Sequence, residues 1–157
     1  MNRARETIFN WLAPHIDDAK CLDLFSGSGA LGFEALSRGA DHATFVEQNP
    51  AIIRALHANR KVLLPSSLDQ QRLTIIRASA PAWLSKQEQR WDIIFLDPPF
   101  GEPLLEETLQ ILTTGNYTQN DALIYLETPK PLYESSIWAT MKSSKVGGTY
   151  LNLISLK

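Results

Sequence analysis

The sequence predicts an α/β fold in which helices cover both faces of a mostly parallel sheet. Five short apolar segments alternate with segments that carry apolar residues at helical spacing. Strands as apolar as these are typical of a parallel sheet that is buried on both faces. Near the end of the chain, Gly147 and Gly148 separate two further β-type segments. This pattern predicts a terminal antiparallel hairpin that completes the sheet.

The predicted elements follow one another without a low-complexity linker or an internal repeat. An amphipathic helix over residues 2–13 opens the chain, and Pro14 ends it. Strands are predicted at 20–25, 43–47, 73–76, 91–96 and 122–127, with the hairpin strands at 138–146 and 149–155. The other helices are predicted at 30–37, from Pro50 to about 64, around 82–86 and at 102–113.

Composition favours one domain over residues 1–157, with a leading helix at 1–14 and the hairpin at 138–157. The sequence contains no apolar run long enough to span a membrane and no secretory signal, so we expect a soluble, cytoplasmic protein, and we expect it to be a monomer. The net charge of −2 implies that any contact with nucleic acid is local. Arg3, Arg5, Arg54, Arg60 and Lys61 could form such a patch, with Arg3 and Arg5 as the predicted RNA-binding residues; a solvated helix face is the alternative interpretation. The lone Cys21 and three scattered histidines match no metal-ligand spacing.

A glycine-rich turn follows the first predicted strand. Residues 27–32, Gly-Ser-Gly-Ala-Leu-Gly, fit G-x-G-x-x-G between a strand and a helix. Glu47 lies at the end of the next strand, where a carboxylate can accept hydrogen bonds from both ribose hydroxyls of a nucleoside. The pattern predicts an adenosine-type ligand but leaves a nicotinamide dinucleotide and S-adenosylmethionine both open.

Asp23 distinguishes between these two ligands. Its carboxylate precedes the glycine turn, near the expected position of a pyrophosphate, which it would repel. A cationic ligand such as S-adenosylmethionine suits Asp23 and Glu47 better. A helix-capping role for Asp23 is the alternative interpretation.

Asp97, Pro98, Pro99 and Phe100 follow the fourth strand, at the sheet edge where open α/β folds bind ligands. The two prolines make the turn rigid. If the Asp97 carboxylate and the Pro98 carbonyl each accept one N–H of an exocyclic base amine, the lone pair of the nitrogen is aimed at a sulfonium methyl for direct, in-line transfer. Phe100 would stack on the base. These four residues are the predicted catalytic residues, and they support methylation of an adenine amine as well as of a guanine amine.

These motifs together resemble those of the RsmD-like family of bacterial 16S rRNA guanine-N2 methyltransferases. The resemblance extends over the leading helix at 3–12, the cofactor loop at 23–32, the catalytic segment at 97–108 and the strand at 122–127. It implies a Rossmann-like class I methyltransferase with a seven-stranded sheet, S-adenosylmethionine as donor, and a guanine N2 amine of 16S rRNA in the small ribosomal subunit or an assembly intermediate as acceptor. The cofactor-binding residues expected from the motifs and the resemblance are Asp23, Phe25, Ser26, Gly27, Ser28, Gly29, Glu47, Gln48, Ser79, Ala80 and Asp97.

The sequence departs from the family pattern at two places. Family members carry a basic β-hairpin before the leading helix, and this sequence starts after it. Ser79 stands where the family has an Asp or Asn that contacts the adenine amine, and serine offers a shorter, uncharged acceptor. Three alternatives stay open: an adenine-N6 methyltransferase acting on DNA or RNA, a nicotinamide-dependent oxidoreductase, and a non-catalytic cofactor-binding module for ribosome assembly.

Overall fold

The computed structural model describes residues 2–99 and 102–157, and within them the α/β prediction is confirmed. The seven strands are β1 (Lys20–Leu24), β2 (His42–Glu47), β3 (Leu73–Arg77), β4 (Trp91–Leu96), β5 (Thr118–Thr128), β6 (Trp138–Val146) and β7 (Thr149–Leu156). They form one sheet in the order β3-β2-β1-β4-β5-β7-β6. The first five strands are parallel, and β7 pairs antiparallel with both β5 and β6. The terminal hairpin therefore completes the sheet as predicted.

Helices cover both faces of this sheet. They are α1 (Arg3–Leu12), α2 (Ala30–Ser37), α3 (Pro50–Leu63), α4 (Ser67–Gln70), α5 (Ala80–Leu84) and α6 (Glu102–Thr114). One buried cluster joins α1, α2 and α3 to the sheet, with the rings of Phe9 and Phe95 6.0 Å apart. The other cluster joins α5 and α6 to the opposite face. Within the described ranges, no helix has both the length and the apolar character that a membrane crossing requires.

Three local predictions differ from the structure. Strand β5 begins at Thr118 instead of residue 122, because its first residues are polar and largely exposed and therefore lack an apolar pattern. Helix α5 occupies Ala80–Leu84 rather than 82–86, with Pro81 in its first turn, where the missing N–H of proline costs nothing. The short α4 was not predicted at all. It is held by the Ser66 hydroxyl, which accepts the Asp69 N–H at 3.0 Å.

The single cysteine lies in the core of the sheet. Cys21 in β1 is 1% exposed. Burial raises the pKa of its thiol to about 12, and the negative charges of Asp92 and Asp23 act in the same direction. The thiol is therefore neutral and inert at physiological pH.

Helix α2 packs on β2 through a glycine. A Cβ placed on Gly32 would lie 1.9 Å from the Phe45 ring, well inside van der Waals contact. The Phe45 ring is itself held edge to face by Phe33, with the ring centroids 5.0 Å apart. The third glycine of the turn thus sets how closely the helix approaches the sheet.

We predict that Gly32→Ala lowers the free energy of unfolding by about 1–3 kcal/mol, because the added methyl must displace Phe45 or the helix. Urea unfolding followed by circular dichroism measures this loss. The matched control is Gly148→Ala in the hairpin turn, where the added methyl meets nothing within 4 Å. Equal stability of the two variants would contradict the packing role of Gly32.

Candidate active site

The carboxyl ends of the parallel strands bring three predicted residues to one edge of the sheet. Asp23, Glu47 and Asp97 lie at or just beyond the ends of β1, β2 and β4. All three line a cavity of about 720 Å³. The other lining residues are Phe25, Ser26, Gly27, Ser28, Ala30, Leu31, Gln48, Asn49, Ile52, Pro98 and Pro99. The structure therefore brings together the glycine turn, Glu47 and the Asp-Pro-Pro segment.

The glycine turn owes its shape to left-handed backbone conformations. The φ angles of Phe25, Gly27 and Gly29 are 60°, 53° and 79°. A Cβ on Gly27 would meet nothing within 4 Å, so the turn leaves open space on the cavity side. Gly29 has a different role, since a Cβ there would lie 2.7 Å from Phe33 and 2.8 Å from Phe45. Gly29 is thus a packing residue and is not among those that line the cavity.

Asp23 links β1 to the start of α2. It is 2% exposed, and its Oδ2 accepts the Gly32 N–H at 3.2 Å. Burial raises its pKa well above the usual value; the Gly32 hydrogen bond opposes this shift, and the charges of Asp97 and Glu47 add to it. The capping interpretation of Asp23 is therefore confirmed by a direct contact, and its carboxyl also borders the cavity.

Glu47 closes the glycine turn from the neighbouring strand. Its Oε1 accepts the Gly27 N–H and its Oε2 accepts the Asn49 N–H, each at 3.0 Å. Each carboxylate oxygen has two lone pairs, so two acceptor positions stay available for a ligand. The backbone contacts fix the orientation in which Glu47 presents them.

A smaller cavity of about 120 Å³ adjoins the first one. It is lined by Phe25, Val46, Glu47, Gln48, Ala78, Ser79, Ala80, Pro81, Pro99 and Leu104. Ser79 holds the N-cap position of α5, yet its side chain makes no capping hydrogen bond. Its hydroxyl is therefore available to a ligand, and the mostly apolar walls around it suit a flat ring.

The Asp-Pro-Pro segment forms one wall of both cavities. Asp97 and Pro98 border the larger cavity, and Pro99 borders both. The Asp97 side chain is open to the cavity, but the protein around it displaces water and raises its pKa, while a hydrogen bond from Glu127 opposes that shift. Phe100, the predicted stacking residue, lies outside the described residues.

Two site residues were not found from the sequence. Glu127 lies next to Thr128, where β5 ends, and the register of β4 with β5 sets its carboxyl group beside that of Asp97. Burial, together with the charge of Asp97, raises the pKa of Glu127 to about 7. On the same face of β5, Tyr125 is buried, and burial raises the pKa of its phenol, with the charges of Glu127 and Asp97 acting in the same direction. The proximity of Glu127 to Asp97 can be found only from the strand register, in which Leu96 pairs with Leu126 one position earlier.

The predicted RNA-binding arginines lie away from the Asp-Pro-Pro wall. Arg3 is exposed on α1, whereas Arg5 is partly buried and borders a separate groove that it shares with Ser28 and Ala30 of the glycine turn. Its Nε is buried and has no hydrogen-bond partner among the described residues. The groove thus adjoins the cavity without containing Asp97.

The cavity is chemically suited to a cationic nucleoside. Its described lining contains three carboxyl groups but no lysine, arginine or histidine. The buried Ser26 hydroxyl, also part of the lining, has no hydrogen-bond partner among the described residues, as expected of a group that contacts a ligand. These residues therefore fit S-adenosylmethionine. In the described part of the chain, no cluster of three His, Cys, Asp or Glu side chains could hold a metal ion.

Comparison with known proteins assigns the chain to a family. A family model described as conserved hypothetical protein 95 matches residues 1–155. The chain is 39% identical over 150 residues to ribosomal RNA small subunit methyltransferase D of Haemophilus influenzae, and the match covers 93% of the chain and 76% of that protein. It is 43% identical over 127 residues to the Escherichia coli protein of the same name, and this match covers 81% of the chain and 62% of that protein.

Solved structures show the same fold. The Escherichia coli protein yhhF superposes with a TM-score of 0.89 at 37% identity, over 98% of this chain and 86% of its own. A ribosomal protein L11 methylase from Lactobacillus delbrueckii superposes with a TM-score of 0.74 over 99% of this chain and 80% of its own. At 13% identity it supports the fold alone. The expected Rossmann-like class I methyltransferase architecture is confirmed.

We predict that Asp23→Asn stabilises the ligand-free protein at neutral pH. The pKa of Asp23 is higher in the folded protein than in the unfolded chain. As pH rises above the unfolded-state pKa, ionisation of Asp23 favours the unfolded chain, so the stability of the wild type falls. Asparagine cannot ionise and still accepts the Gly32 N–H. Urea unfolding should give a gain of at least about 1 kcal/mol at about pH 7, shrinking to zero towards about pH 3.

The control for this prediction is Glu88→Gln, which neutralises an exposed carboxylate. It should leave the free energy of unfolding at neutral pH unchanged. A variant at Asp23 that is less stable than the wild type at neutral pH would refute the assigned direction.

Proposed function

The chain belongs to the family of conserved hypothetical protein 95 and ribosomal RNA small subunit methyltransferase D, and from this premise we propose that it methylates 16S rRNA with S-adenosylmethionine as donor. The acceptor is the exocyclic N2 amine of a guanine in the small ribosomal subunit or one of its assembly intermediates. The observation that carries the proposal is the meeting of Asp97, Asp23 and Glu47 around one cavity.

The binding of the donor follows from the charges and shape of the two cavities. S-adenosylmethionine, when bound, supplies an electrophilic methyl group on a sulfonium ion. In this proposal Glu47, oriented by the Gly27 N–H, holds the ribose hydroxyls, and the adenine occupies the small cavity that Ser79 borders. Asp23 and the Ser26 hydroxyl face the part of the cavity next to the glycine turn, where an ammonium group would offset the acidic charge. A pyrophosphate there would be repelled, which argues against a nicotinamide dinucleotide.

The amine is held by the Asp-Pro-Pro wall. In this proposal the Asp97 carboxylate and the Pro98 carbonyl each accept one N–H of the guanine amine. With both hydrogens engaged, the nitrogen is oriented with its lone pair towards the cavity. The two prolines keep this wall rigid, so little reorganisation accompanies the reaction. The proton released by the nitrogen passes to the carboxylate or to water, and no covalent bond to the protein is needed.

Contact with RNA is assigned to the exposed face of α1. Arg3 is exposed there, and Arg5 borders the groove next to the glycine turn. Both can contact phosphates without base specificity. Since the net charge of the chain is −2, we expect weak binding to free RNA and a requirement for a structured particle.

We predict that Asp97→Ala lowers the rate of methyl transfer by at least about 100-fold, because the amine loses a charged hydrogen-bond acceptor at the reacting atom. Single-turnover transfer of a labelled methyl group measures the rate, and calorimetry should show that S-adenosylmethionine binding is largely retained, because Asp23 and Glu47 remain in the cavity. Asp41→Ala is the control for loss of an exposed acid. Wild-type protein that binds the donor but transfers nothing would favour the non-catalytic binding module.

We predict that 16S rRNA in small ribosomal subunits accepts the methyl group and that the product nucleoside is N2-methylguanosine. The protein is incubated with labelled S-adenosylmethionine and, in parallel, with naked rRNA, ribosomal particles and DNA. Nucleoside digestion followed by mass spectrometry identifies the product. N6-methyladenosine, or label found only in DNA, would overturn the assignment of the acceptor.

A further inference from the structure

Glu127 and Asp97 meet although thirty positions separate them in the chain. Strands β4 and β5 run parallel, with Phe95 opposite Tyr125 and Leu96 opposite Leu126. The next pair in this register is Asp97 and Glu127, whose side chains project on the face that also carries Phe95 and Tyr125. Each strand end therefore presents one carboxyl group to the other.

The contact between these carboxyl groups has a chemical requirement. The strand register brings them together, and the negative charge of Asp97 raises the pKa of Glu127. Two ionised carboxylates this close repel each other, whereas a protonated one can donate a hydrogen bond to its neighbour, so the pair is stable when one member carries a proton. Asp97 is the more open of the two and borders the cavity, whereas Glu127 is partly buried and is absent from the described cavity lining. Burial disfavours the charged form, which places the proton on Glu127.

We propose that protonated Glu127 is a positioning residue that donates a hydrogen bond to the Asp97 carboxylate and thereby fixes the oxygen that accepts the substrate amine. The inference rests on the proposed function of Asp97 as amine acceptor. One Asp97 oxygen is occupied by Glu127, and the other is left for the amine. Glu127 itself touches neither substrate nor donor.

Few groups besides Asp97 determine the state of Glu127. Within its own strand, the neighbouring Tyr125 hydroxyl favours the charged form of Glu127, but burial and the charge of Asp97 outweigh this effect. From β7, the residue opposite Glu127 is the apolar Leu151, whose partner in β6 is Ser144. The described residues that pair across from Glu127 in these strands thus include no cation that would hold it ionised. The pKa of Glu127, raised to about 7, puts loss of its proton within the physiological range.

The kinetics of the wild type and of three variants distinguish a positioning role of Glu127 from other roles. In the wild type, the single-turnover rate should fall as pH rises through about 7, because Glu127 loses its donor. Glu127→Gln supplies a permanent N–H donor, so its rate should stay within about threefold of the wild-type maximum and lose this alkaline fall. Glu127→Ala should stay about tenfold below the wild-type maximum at every pH. The exposed Glu88→Gln should behave as the wild type.

Two kinetic results would overturn the proposal. A glutamine variant as slow as the alanine variant would mean that Glu127 acts by exchanging its proton. A glutamine variant that retains the alkaline fall would assign the titration to another group.

An infrared readout tests the protonation of Glu127 without any methyl transfer. The carbonyl stretch of a protonated carboxylic acid is recorded for the wild type and for Glu127→Gln, and the difference isolates Glu127 from the buried Asp23. We expect a band that is present below pH 7 and disappears as pH rises through about 7. Absence of the band at acidic pH would overturn the proposal. If the band titrates as expected but no RNA is methylated, the proposed function fails while the proton assignment stands.

Discussion

The concentration of acidic groups at one edge of a parallel sheet is the constraint on which the site depends. Parallel pairing aligns the carboxyl ends of neighbouring strands, so Asp23, Glu47 and Asp97 meet there, with Glu127 behind Asp97. Carboxylates this close together and partly removed from water repel one another strongly. Such a cluster is stable only if its members gain protons, backbone donors or a cationic ligand. Each of the four groups meets this requirement differently.

When no ligand is bound, backbone N–H donors and protonation stabilise these carboxyl groups. Glu47 is held by two N–H groups, whereas Asp23 has one and a strongly raised pKa. The Asp97–Glu127 pair shares a proton. A cationic ligand in the cavity would favour the charged forms of these groups, so its binding and the release of protons are coupled. The same acidic lining favours a sulfonium ion over a pyrophosphate as the ligand of the glycine turn.

Elements with a clear apolar or glycine pattern could be predicted from the sequence. Strand β4 and helix α2 lie where the apolar pattern placed them, and the glycine turn, Glu47 and the Asp-Pro-Pro segment do converge. Local patterns failed where an element is polar, as at the start of β5, or very short, as in α4. Glu127 was missed for another reason. It follows an apolar run, as many strand residues do. Only the pairing of β5 with β4, thirty positions earlier in the chain, brings it to Asp97.

The antiparallel hairpin fixes the end of β5 that carries Glu127. Asn152 of β7 is fully buried, and its amide nitrogen lies within hydrogen-bonding distance of the Leu126 carbonyl at 3.2 Å and the Thr128 hydroxyl at 3.0 Å. These acceptors flank Glu127 on either side. Since an unpaired amide in the core would be costly, the contacts hold the strand in one register. The hairpin, which at first sight only finishes the sheet, therefore determines where Glu127 stands relative to Asp97.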